Sequence, residues 1–172
     1  NKFLRRVILF CGLYNMDSLR ATKFPGIKTY MEALTGESNF ENYERIDELA
    51  TIKYITPNYP STFITVGDID PFVDQGKELA SSLRALGVKV VSRFFENKGL
   101  WHEYQFKFSV KEARETFKSV IEFLNDNKLE ENVLAKTFVD LLGKYMNQQP
   151  NKVFYFKSYP KFFYECFWLI FL

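Results

Sequence analysis

The chain has a single histidine, only two cysteines, and no long run of one charge sign. Cys11 and Cys166 are too few and too far apart for a metal motif or a disulfide framework, so the redox compartment stays open. The 23 basic and 21 acidic residues are interspersed and leave a formal charge of +2. That balance offers a polyanion no footprint, and nucleic acid is not an expected partner. No stretch reaches the roughly eighteen apolar residues that a bilayer span requires. Even the C-terminal "CFWLIFL" falls well short, so no membrane span is expected. The opening "NKFLRRVILFCGLY" puts charge before a brief apolar run, but Gly12 interrupts that run and no small-residue cleavage site follows. It predicts a buried strand rather than a signal peptide. No internal repeat is present. The chain is rich in core material instead: 47% of its 172 residues are hydrophobic, which predicts one soluble globular domain.

The order of elements then points to an α/β sheet. Residues 7–14, "VILFCGLY", form a continuous apolar run of strand length, as for a strand covered on both faces. Residues 17–60 are irregular, with a short helix expected at "GIKTYMEALTG", closed by Gly36, and another at "NYERIDELATIKYI". Pro57 and Pro60 break the chain before "STFITVG", a strand rich in β-branched and aromatic residues. The amphipathic "QGKELASSLRALG" follows, with Leu79, Leu83 and Leu86 at helical spacing and Gly87 as a stop. Then come the strand "VKVVSRFF", the loop "ENKGLWHEYQF" and a helix in "SVKEARETFKSVIEFLNDN" with Ala113, Phe117, Val120, Ile121 and Leu124 on one face. Alternating strands and helices argue for parallel pairing. Residues 129–149 repeat the helical period until Pro150, and the half-aromatic residues 151–172 follow neither period.

Two stretches stand where open α/β sheets collect ligands, outside the carboxyl ends of strands: "TVGDIDPFVDQG" with Asp70, and "GLWHEY" with His102. A carboxylate that accepts from one imidazole nitrogen fixes the tautomer and leaves the other nitrogen to move a proton. Taken singly, an Asp in a strand-to-helix turn is ordinarily a cap, and a lone His is ordinarily structural. Asp68 is the rival acid, but it stands closer to the strand end and is expected to support the turn. Asp74 is expected to cap the following helix. Trp101 is placed either to line an acyl pocket or to shield the loop.

The stretch "GDIDPFVDQGKELASSLRALGVKVVSRFFENKGLWHEYQF" resembles the C-terminal part of α/β-hydrolase enzymes of the esterase/lipase type. The resemblance covers residues 3 to about 125. It implies an α/β fold with a mostly parallel sheet and flanking helices, a hydrolase part at 1–128 with a lid-like insertion at about 17–60, and an extension at 129–172. Asp70, through "DIDPFVDQG", matches the triad acid, and His102, through "GLWH", matches the base. The family usually follows this His with Gly and an aromatic, whereas Glu103 and Tyr104 stand here. G-x-S-x-G is absent, and Gly36, Glu37 and Ser38 supply half of it in the wrong place. Since the family's chain order is Ser, acid, His, the nucleophile is expected upstream of Asn1.

The implied function is serine hydrolysis of carboxylic esters, with a small-molecule ester as substrate and no cofactor or metal. The chain alone is expected to be inactive and to self-associate through an exposed sheet edge or the aromatic tail. Peptide or amide hydrolysis by the same triad, and a non-catalytic binding remnant, are the alternatives.

Overall fold

The computed structural model describes residues 5–125 and the backbone of residues 168–171. The apolar run after Arg5 forms the strand β1 (Arg6–Phe10), buried along its whole length. Strands β2 (Ser61–Val66) and β3 (Val90–Phe94) lie parallel to it, with β1 paired to β2 and β2 to β3. The register sets Phe10 opposite Thr65, and Thr65 opposite Arg93. On the other side of β1, a fourth strand, β4 (Trp168–Phe171), pairs antiparallel, giving the sheet order β3-β2-β1-β4.

The period of two along the strands divides the core between two faces. Val7, Leu9 and Ile64 pack against Leu79, Ala80 and Leu83 of the helix α2 (Val73–Ala85). The alternate residues Ile8, Phe10 and Phe63 pack against Phe117, Val120, Phe123 and Leu124 of the helix α3 (Lys111–Asn125). The result is an α/β architecture in three layers, with a parallel core of three strands and a helix on each face. Arg6, buried at the start of β1, extends its guanidinium to the carbonyl oxygens of Phe123 and Leu124 at the end of α3. A cation there complements the negative end of the helix.

Residues 17–60 form an annex beside the sheet, built on the helix α1 (Ile27–Thr35) and short 3-10 turns. Gly36, at φ 77°, ends α1 with its N–H on the Glu32 carbonyl, the left-handed stop expected of it. The helix expected across "NYERIDELATIKYI" does not form, and only 3-10 turns at Ile46–Leu49 and Thr51–Lys53 are present. Its backbone donors are spent elsewhere. Ala50, fully buried, takes an extended conformation, and the Ile52 N–H bonds the Tyr14 carbonyl 38 positions back at 3.0 Å. The first strand is also shorter than its apolar run, because Cys11 turns into the left-handed region at φ 47°. The helix expected at 129–149 and most of the aromatic tail lie outside the described residues. Within that tail, 168–171 is a strand, which its irregular pattern did not announce.

Phe63 is fully buried on the central strand, with its ring 5.9 Å from that of Phe123. Phe63→Ala is expected to lower the unfolding free energy by about 3–5 kcal/mol. Ile69→Ala, at a side chain 52% exposed, should stay within about 0.5 kcal/mol. Urea unfolding of both variants checks the contrast.

Candidate active site

Parallel strands bring their carboxyl ends together, and here those ends present Cys11, the turn 67–72 and the loop 95–106 to one another. Gly67 is the point of closest approach. A Cβ built on it would stand 2.2 Å from the Leu100 carbonyl oxygen, so only a residue without one lets the two loops touch backbone to backbone. The Ile69 N–H then donates to that same carbonyl at 3.1 Å.

Asp68 fastens the contact. Its Oδ2 accepts from the Lys98 and Gly99 amides at 2.6 and 3.0 Å, and its Oδ1 from Leu100 at 2.6 Å. The turn-supporting residue expected from sequence therefore supports the histidine loop as much as its own turn.

Two residues on, Asp70 is fully buried at its side chain and meets His102, with 2.9 Å between Oδ2 and Nδ1. Its other oxygen accepts the Phe72 N–H at 2.8 Å, which fixes the carboxylate plane. Because a carboxylate only accepts, Nδ1 carries the proton toward Asp70, and the lone pair lies on Nε2. The imidazole is 9% exposed at its side chain. Phe72 and Phe24 meet it edge to face, at 5.4 and 5.3 Å between centroids, and stack on each other at 4.7 Å. Phe24 belongs to residues 17–60, so the annex supplies one wall of the site. Asp74 does not cap α2. It lies inside the first turn, and the N-cap position is Phe72, which has no side-chain cap.

The two residues that depart from the resembled pattern each have a structural account. Glu103 stands at φ 57°, a left-handed position that glycine fills without strain and that costs another residue about 1 kcal/mol or more. Tyr104 turns inward and joins three elements. Thr65 Oγ1 spends its proton on the Arg93 carbonyl at 2.6 Å, so Tyr104 must donate to Thr65 at 2.6 Å, and Thr116 of α3 to Tyr104 at 2.7 Å. Burial, relieved in part by Thr116 and Thr65, pushes the phenol up to about 12.

Sequence reasoning passed over two further residues. Gln75 of α2 accepts the Tyr14 and Asn15 amides on one oxygen, at 2.7 and 3.1 Å, and donates to the Asn15 carbonyl, pinning the chain that leaves β1. Cys11 is buried at the strand end, with Sγ 3.5 Å from Gln105 Oε1. Burial, and then the Asp70 charge, push its thiol well above the ordinary range, so at neutral pH it is not the thiolate that a nucleophile requires. The register that sets Cys11 beside the end of β2, with its N–H on the Thr65 carbonyl at 3.0 Å, is fixed only in the folded sheet.

No family model matches the chain, and no curated protein matches it. Among solved structures, carboxyl esterase 2 from the mycorrhizal fungus Tuber melanosporum is similar at 19% identity with a TM-score of 0.43, over 81% of this chain and 42% of that one. The chain thus spans less than half the length of that esterase, and the likeness is too distant to transfer chemistry.

Burial raises the Asp68 carboxyl, but the Leu100, Lys98 and Gly99 amides together outweigh it and hold the group below its ordinary value. Its support of the histidine loop is therefore complete above about pH 3.9 and is lost as pH falls through the lower folded-state value. Asp68→Ala is expected to cost about 1–2 kcal/mol at neutral pH and to flatten the acid limb of the pH–stability curve. An acid limb identical to that of the parent chain would deny the carboxylate this role.

Proposed function

We propose that this chain carries the general base, His102, and its orienting acid, Asp70, of a serine hydrolase acting on carboxylic esters. The observation that carries the reading is the buried 2.9 Å contact between Asp70 Oδ2 and His102 Nδ1 across the ends of two adjacent parallel strands. In this reading Nε2 takes the proton from an attacking hydroxyl, and Asp70 stabilises the imidazolium that forms. The same nitrogen returns the proton to the leaving alkoxide, then activates the water that releases the acyl group. The Phe24 and Phe72 rings exclude water from the imidazole, and a fixed ring angle keeps Nε2 aimed. Trp101 and Ile69, each about half exposed and each adjoining one member of the pair, offer an apolar rim to an acyl chain. The nucleophile and the oxyanion donors would come from sequence preceding Asn1.

Hydrolysis of an activated acyl ester tests this with the chain as given, a chain extended upstream through a G-x-S-x-G segment, and substitutions in the extended form. The given chain should be silent and the extended one active. His102→Ala and Asp70→Asn should each then reduce kcat by about 10³-fold or more. Turnover by the extended chain that survives His102→Ala would overturn the proposal.

A further inference from the structure

Cys11 takes no part in the hydrolysis proposed above, yet its sulfur shares a cluster with the acid and the base. Cys11 Sγ, an Asp70 carboxylate oxygen and a His102 ring nitrogen all lie within 4.8 Å of one another, in a buried setting. We infer that these three side chains form a binding site for a divalent cation of the zinc type.

Three features support the site. The donors are one sulfur, one nitrogen and one oxygen, a mixed set that suits zinc and is foreign to calcium or magnesium, which take oxygen. The charges close: a thiolate and a carboxylate balance a dication, and the imidazole binds neutral, so the loaded site carries no net charge into a buried place. The three donors are close enough to converge on one ion, since the edges of a tetrahedron at zinc bond lengths run about 3.3–3.7 Å. Asp70 Oδ2 and His102 Nδ1 stand 2.9 Å apart and have to open by about 0.4 Å, while the sulfur lies within 4.8 Å of both partners. Gln105 is fully buried and its amide oxygen lies 3.5 Å from the sulfur, a neutral oxygen available as a fourth donor. Its Nε2 has no hydrogen-bond partner among the described residues, so no bond at that nitrogen holds the amide in its present orientation.

Binding exchanges one proton. The Cys11 S–H bond breaks as the sulfur–metal bond forms, and that proton leaves to solvent. Where the cation takes Nδ1, the proton that Nδ1 directs at Asp70 moves to Nε2, so the ring binds neutral and that proton is not released. Where His102 is the base of a hydrolase, occupancy withdraws it from proton transfer. That consequence rests on the functional reading, whereas binding does not.

The test uses Co2+ as a spectroscopic stand-in for Zn2+, with the reduced full chain and its Cys166→Ser variant, so that any thiolate-to-cobalt charge-transfer band reports Cys11. The band is expected in both and should be displaced by Zn2+. It should be lost in Cys11→Ser, whose Zn2+ affinity should fall by about 100-fold or more. Because the chain has one histidine, its ring proton signals need no assignment. They should shift with one equivalent of Zn2+, and calorimetry in two buffers should register one proton released. Should Cys11→Ser fail to fold, the histidine signals of the Cys166→Ser chain still decide. A missing band, a band that disappears with Cys166, or ring signals that ignore Zn2+ would each overturn the site. None of these readouts requires turnover.

Discussion

The site depends on a single missing Cβ. With Gly67 bare, the turn after β2 and the loop after β3 meet at the Leu100 carbonyl, closer than any side chain permits. Every other contact of the pair follows from that approach. Asp68 reaches three amides of the opposite loop, Ile69 bonds the carbonyl that Gly67 faces, and Asp70 comes within one hydrogen bond of His102. Tyr104 then locks the far side of the histidine loop to β2 and α3 through two hydroxyls. The imidazole is held from both flanks by groups on different elements, which fixes its orientation.

Much of this was readable in the sequence, for reasons that differ from place to place. The three parallel strands and α2 and α3 follow from local periods, and Gly36 and the turn at Asp70 from local chemistry. Asp70 and His102 could be paired without coordinates because parallel strands deliver their ends to one side. The helix expected at 42–55 failed because Ile52 donates to Tyr14, a partner no local rule reveals. Asp68 and Asp74 show the same limit. Both are acidic residues near a helix start, yet one accepts amides about thirty positions on while the other caps nothing. Glu103 registered only as a departure from pattern, and its left-handed backbone shows what the departure costs.

The annex of residues 17–60 is part of the site rather than an ornament on it. Leu19, Phe24, Met31 and Phe40 share one apolar cluster with Cys11, Val66 and Phe72, so the annex and the strand ends have a common core. Phe24 carries that core onto the imidazole. The annex thus reaches His102 through the rings of Phe24 and Phe72, which stack on each other.

β1 has two edges, and both are taken, one by β2 and the other by β4. A strand edge is a row of donors and acceptors that serves one partner at a time. Residues 168–171 hold that row in antiparallel register, so any other segment that extends the sheet beside β1 has to evict them. The two arrangements are mutually exclusive tenancies of one seat, and the length of sheet on that side is settled by competition rather than by addition.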